Sequence, residues 1–275
     1  MIRDMIVLID GSPGSDVAGR RAVDLAAVCS SHLTIMGLPR DTAEVPHLLL
    51  ASAKVVIEAM HDAQDAVDLA ALQIEKIARA ASVQCFHHTL DAPAADYVET
   101  TTRIARRFDL CVVALAGPAS QRGYDAVFEP LLYRSGVPVL AVPPHSPRAG
   151  SYDRVMIAWD GGRAVTRAVG DAIPILRAAK HVDIVNISRN GDGGETEIPG
   201  CHIAGHLARH GVVAQYRQIE TNASRGAALL LAAGELGADL VVMGAQRHSL
   251  LREAIVGGTN SEVIEKSPVP LFLAR

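Results

Sequence analysis

The chain repeats itself. Met5-Ile-Val-Leu-Ile-Asp10-Gly11-Ser12 is matched by Val155-Met-Ile-Ala-Trp-Asp160-Gly161-Gly162, each an apolar run that closes on Asp-Gly and leads into an Ala-rich helical pattern. Further along, Phe108-Asp109-Leu110-Cys-Val-Val-Ala114 is matched by Ala238-Asp239-Leu240-Val-Val-Met-Gly244. Ser135-Gly-Val-Pro138-Val-Leu-Ala-Val142 is matched by Ser267-Pro-Val-Pro270-Leu-Phe-Leu-Ala274. Anchors recurring in one order make this a duplication, so whatever the first half folds into the second must also fold into. The connector Pro143-Pro144-His145-Ser-Pro147-Arg-Ala-Gly150 continues neither strand nor helix. The expected domains are therefore 1–146 and 147–275.

Within each copy, short runs of Val, Ile and Leu alternate with longer segments of helical period. This is the pattern of a parallel sheet with crossover helices, an α/β fold. Strands are expected near 5–10, 32–38, 83–88, 109–114 and 137–142, and near 154–159, 181–187, 213–219, 239–243 and 269–273. Two doubly wound five-stranded domains follow. Each last strand is an apolar edge, and such an edge invites pairing. Pairing of the two edges would make the chain an intramolecular counterpart of a two-fold dimer, which could itself form a homodimer. The first copy is longer after its second strand, where 45–81 reads as one long covering helix or a broken pair. Its polar face carries Glu58, Asp62, Asp65, Asp68 and Glu75.

Composition removes several functional classes. Of 275 residues 49% are hydrophobic and 20% charged, ordinary for a globular chain. A net charge of -4, with five Tyr, four Phe and one Trp, offers neither phosphate-neutralising surface nor stacking platforms, so no nucleic acid partner is expected. The apolar stretches 48–60 and 227–245 are interrupted by Lys54 and Glu58, and by Glu235 and Asp239, so no membrane span is expected. Met1-Ile2-Arg3-Asp4 lacks a signal-peptide pattern, which points to the cytoplasm. Cys29, Cys85, Cys111 and Cys201 lie far apart and read as reduced packing residues.

In a doubly wound sheet, ligands bind at the carboxyl ends of strands where strand order reverses. Asp160 ends the first strand of the second copy, where a carboxylate suits an exocyclic amine such as that of adenine or, equally, caps the next helix. Gly244 follows the fourth strand, and Gly257-Gly258-Thr259-Asn260-Ser261 opens the last helix. Bare backbone N–H groups at such a helix start suit phosphate.

Asp160-Gly161, the 244–259 loop and Ser267-Pro-Val-Pro270 resemble the universal stress protein family, and the first copy resembles it in Asp10-Gly11-Ser12 and Val137-Pro138-Val139. The resemblance spans nearly the whole chain, in the family's tandem form. It implies a stress-associated protein, often nucleotide-binding, whose domains pair through the last strand. ATP-binding members carry Gly, two residues, Gly, nine residues, Gly, then Ser or Thr. Gly244 and Gly257 fit this; Arg247 replaces the second Gly, and Gly258 takes the Ser/Thr place with Thr259 behind it. An Arg held at positive φ costs on the order of 1–2 kcal/mol, yet its guanidinium is a charge-assisted donor to phosphate. The strand-end residues Ala158, Trp159, Ile187 and Met243 complete the expected site for ATP or AMP. The first copy keeps Asp10 but has Ala114 in place of Gly244, no Gly-Gly before its last helix, and Glu129 near that helix start. It is expected to be a structural half.

Cys201, His202, His206 and His210 recur at helical spacing, the pattern of a zinc row. His210-Gly211 also reads as an ordinary helix end, so no metal-ligand set is assigned. His87 and His88 are neighbours on a strand and point to opposite faces. No nucleophile elbow, Walker loop or His-Glu-x-x-His occurs, and spacing ties no Ser, His and Asp together. The expectation is a nucleotide-responsive protein acting through protein partners, not an enzyme, slow ATP hydrolysis aside. The alternative is a nucleotide-independent scaffold with relic sites and a functional long helix. An adenylate-handling enzyme is the third reading, for which Asp160-Gly161-Gly162-Arg163 is too short a phosphate signature.

Overall fold

A computed structural model describes residues 1–38, 53–90, 96–115, 123–146, 151–188, 202–245 and 259–275. The chain divides into two compact units, Ile2–Ser146 and Pro147–Arg275. The first runs β1 (Asp4–Ile9), α1 (Pro13–Cys29), β2 (His32–Gly37), α2 (Ala53–Ala80), β3 (Cys85–Thr89), α3 (Tyr97–Ala105), β4 (Leu110–Ala114), α4 (Gly123–Arg134) and β5 (Val139–Val142). The second runs β6 (Arg154–Ala158), α5 (Arg163–Ala178), β7 (His181–Ser188), α6 (Ile203–Arg209), β8 (Ala214–Glu220), α7 (Arg225–Glu235), β9 (Leu240–Gly244), α8 (Thr259–Lys266) and β10 (Leu271–Ala274).

The strand order is β3-β2-β1-β4-β5 in the first unit and β8-β7-β6-β9-β10 in the second. Pairing within each unit is parallel. Both units are thus α/β and doubly wound, with β1 or β6 at the centre. The central strand must be apolar throughout because helices cover both faces. Met5, Ile6, Val7, Leu8 and Ile9 are accordingly all buried, as are Val155, Met156, Ile157 and Ala158. The outer strand β3 alternates instead, with Phe86 and His88 exposed and His87 half-buried, so the two histidines do face opposite ways.

The duplicated Asp before β4 and β9 does the same work in each unit. Asp109 Oδ2 accepts the N–H groups of Arg3 at 2.7 Å and Asp4 at 3.1 Å. Asp239 accepts those of Asp153 at 2.9 Å and Arg154 at 3.1 Å. Each carboxylate ties the start of the central strand to its neighbour. Burial pushes the Asp239 carboxyl up from its ordinary value, against the lowering effect of those backbone donors.

The long covering segment is one helix over its described part, α2, of 28 residues. Val67, Ala70, Ala71, Ile74 and Ala78 make its buried stripe. Gly19 on α1 and Gly37 on β2 leave the room that Ile74 and Val67 occupy. Glu58, Asp62 and Asp65 are exposed as expected, but so are Val55, Ile57, Met60, Leu69 and Leu72. Among the described residues no helix is long and apolar enough to cross a membrane.

Candidate functional site

In the second unit the chain leaves β6 toward β7 and later places β9 on the other flank, so strand order reverses between β6 and β9. Ala158 is in register with Met243 on one side and with Val185 on the other. The backbone N–H of Trp159 donates to Val185 O at 2.8 Å, and Asn186 Nδ2 donates to Trp159 O at 3.1 Å. The strand ends thereby gather Ala158, Trp159, Asp160, Met243 and Gly244. Ile187 continues β7 beside them.

Asp160 has a local task. Its Oδ1 accepts the N–H of Gly162 at 2.8 Å, closing a turn in which Gly161 sits at φ 69°, a conformation that favours glycine. The first unit repeats this geometry: Ser12 N–H donates to Asp10 Oδ1 at 3.0 Å, and Gly11 has φ 73°. The Asp-Gly of both copies is therefore accounted for by turn formation, and the Asp160 side is the more exposed of the two. The helices that follow differ. Ser12 caps α1 by accepting from Ser15 N–H, whereas α5 begins at Gly162 without a side-chain cap.

Gly244 also has a packing role. A β-carbon there would lie 2.7 Å from the Ala164 carbonyl carbon and 2.8 Å from the Ala164 β-carbon, so the first turn of α5 reaches β9 only because position 244 is bare. The next amide, Ala245 N–H, is bonded to Ala274 O at 2.7 Å. In the first unit the small residue changes sides: Ala114 takes the strand position and Gly14 the helix position. A β-carbon on Gly14 would stand 3.7 Å from that of Ala114.

Trp159 is 9% exposed, and its Nε1 is buried without a hydrogen-bond partner. Such an orphaned donor carries a desolvation cost of about 1–3 kcal/mol. Thr259 and Asn260 open α8, whose Glu262 turns to α7: Ser224 Oγ donates to Glu262 Oε2 at 2.7 Å, and Gly226 leaves room for that carboxylate. Hydrogen bonding from Ser224, then from Lys266, holds the Glu262 carboxyl below its ordinary value. Arg247, Gly257 and Gly258 lie outside the described residues, as does Cys201. An open depression lined by Gly161, Arg163, Thr166, Arg167, Gly170 and Asp171 runs from the turn after β6 along α5.

The histidine row divides. His202 packs edge-on to Tyr216 with centroids 4.9 Å apart, while His206 and His210 face each other at 4.7 Å. Among the described residues no group of three or more His, Cys, Asp or Glu is placed to hold a metal ion.

One constellation escaped the sequence reading. In the first unit Thr89 Oγ1 donates to Asp68 Oδ1 at 3.3 Å and lies 3.4 Å from His87 Nε2, which is 4.0 Å from the same carboxylate oxygen. Gln64 Nε2 donates to that oxygen at 2.9 Å. Strand alternation puts His87 and Thr89 on one face, but only the packing of α2 on β3 brings Asp68 to them. A proton relay needs hydroxyl and carboxylate on opposite ring nitrogens. Here both face Nε2, which makes a hydrogen-bonded cluster and not a catalytic triad.

The universal stress protein family model matches residues 201–275. No curated protein matches the chain. Among solved structures, a universal stress protein from Archaeoglobus fulgidus DSM 4304 is similar over 99% of this chain and 96% of its own, at 17% identity and a TM-score of 0.70. A functionally unknown protein from Pseudomonas aeruginosa PAO1 is similar over 99% of this chain and 92% of its own, at 16% identity and a TM-score of 0.59. Residues 201–275 thus match the universal stress protein family model, and the chain shares along its whole length the fold of a universal stress protein.

Proposed function

We propose that the second unit binds an adenine nucleotide, ATP or AMP, at the carboxyl ends of β6, β7 and β9, and that the bound state is read by a protein partner. The observation that carries this reading is the reversal of strand order between β6 and β9, which sets Asp160 and Gly244 at adjoining strand ends. Asp160, beyond its turn-forming bond, is exposed at the mouth of that crevice, where a carboxylate accepts from an exocyclic amine. The orphaned indole N–H of Trp159 adds a donor beside it. Thr259 and Asn260, at the start of α8, are assigned to the phosphates with Arg247, Gly257 and Gly258. Ala158, Ile187 and Met243 supply the apolar lining. The first unit, with Ala114 and Glu129, is assigned a structural role.

No residue is assigned as nucleophile or base, so the reading is of a binding protein. Calorimetric titration with ATP and with AMP tests it, with a melting curve at millimolar nucleotide beside it. The expected result is a saturable isotherm and a raised melting temperature, because a ligand held only by the folded state stabilises it. No heat and an unchanged melting curve with both nucleotides would remove the reading.

A further inference from the structure

We infer that His206 and His210 form a surface chelate for a borderline divalent transition metal such as Zn(II) or Ni(II). The two side chains are exposed, stand one helical turn apart at the end of α6, and meet at a centroid separation of 4.7 Å with rings inclined by 56°. Imidazole nitrogen binds such metals at about 2.0–2.1 Å, which puts a ring centroid about 3 Å from the ion. Two such rings about one ion then have centroids about 4.2 Å apart at a right angle and about 4.9 Å apart at the tetrahedral angle of zinc. The observed separation of 4.7 Å falls between the two.

Neither imidazole is otherwise engaged: among the described residues no hydrogen bond or ion pair involves either ring. A helix-end reading explains Gly211, with its φ of 79°, but not why the rings converge. The Arg209 guanidinium lies 3.9 Å from where a β-carbon on Gly205 would stand. The pair stands at the carboxyl end of α6, the end whose dipole favours a cation. His202, committed to Tyr216, is left out of the chelate. With two protein ligands, the remaining positions on the ion are open to water or to a donor from another molecule. Imidazole selects Zn(II), Ni(II) and Cu(II) over Mg(II), which prefers oxygen.

The test uses the full chain without a histidine tag. ZnCl2 is titrated by calorimetry into the unaltered protein, His206→Ala, His210→Ala and the double variant, with MgCl2 as a control. Chelation predicts one zinc site that magnesium does not fill, at least about tenfold weaker in either single variant. The double variant then loses little more, because one imidazole cannot chelate. Zinc should also raise the melting temperature of the unaltered protein, reversibly with EDTA, and should not raise that of the double variant. Because both side chains are exposed, the metal-free variants should melt like the parent, which separates lost chelation from lost fold. Absence of zinc binding, or an isotherm unchanged in both single variants, overturns the inference.

Discussion

Gly244 and Ala164 lie so close that a β-carbon on the glycine would sit 2.8 Å from the β-carbon of the alanine. In the first unit the same juncture is built from Ala114 and Gly14, with the small residue moved from strand to helix. Only the second copy is too tight at this crossing for a β-carbon on both residues.

Gly244→Ala should therefore destabilise the chain by about 1–3 kcal/mol, the range for overpacking a tight site. Gly14→Ala meets only ordinary contacts, at 3.5 Å from Pro144 and 3.7 Å from Ala114, and gains helix propensity, so it should be neutral or stabilising by up to about 1 kcal/mol. Adding Ala164→Gly to Gly244→Ala should recover part of the loss, the remainder reflecting backbone contact with α5. Urea denaturation of the set measures this. Equal effects at the two glycines would refute this difference between the copies.

Asp160→Ala and Asp10→Ala each remove the acceptor that closes a turn, and each should lower stability by about 1 kcal/mol. Under the proposed function only Asp160→Ala should also weaken nucleotide binding. Unfolding and titration on the same two variants separate the turn role from the ligand role.

Trp159 is the single tryptophan of the chain. Its buried indole adjoins Asp160, so its emission reports events at the end of β6 without interference. Saturable change in that emission on adding ATP, absent in the Asp160→Ala variant, is the expected outcome. Binding detected by calorimetry with the fluorescence unchanged would place the ligand elsewhere.

Asp239→Ala leaves the amides of Asp153 and Arg154 without their acceptor and should cost about 1–3 kcal/mol. The pH dependence has a definite sign. Burial raises the folded value of this carboxyl above 3.8, so the folded chain holds the proton more tightly than the unfolded one. Stability contributed by the group is present at low pH and declines as pH rises through the interval above 3.8. The stability of Asp239→Asn relative to the parent should rise over that interval and then level off. Denaturation curves across it check the direction.

The Cys111 thiol is fully buried and pushed up to about 12, and the Cys29 thiol to about 11, in both cases chiefly by burial. Alkylation near pH 8 should leave Cys111 unmodified in the folded protein and reach it on unfolding, as mass spectrometry of labelled peptides can follow. Prompt labelling of Cys111 without denaturant would contradict its place in β4.

Much of this was legible in the residues. Unbroken apolar runs such as Met5 to Ile9 fit only strands covered on both faces, and the expected strands all appear within a few residues of their places. The site was less so. Asp160 read equally as ligand or cap, and the turn bond to Gly162 is a local fact of the fold. Gly244 read as bare backbone for phosphate, and its contact with Ala164 joins residues far apart in the chain. The outer face of α2 read as polar, yet Leu69 and Leu72 are exposed on it.

By itself the sequence determined the duplication and the alternation of strand and helix, because periodicity and the clustering of apolar runs are local properties. Tertiary structure alone decided which side chains meet: Gly244 with Ala164, Thr89 with His87 and Asp68, His206 with His210 but His202 with Tyr216. The physical reason is that such contacts depend on distances of a few ångströms between elements. Those distances are set by how helices seat on the sheet, and no spacing along the chain encodes them.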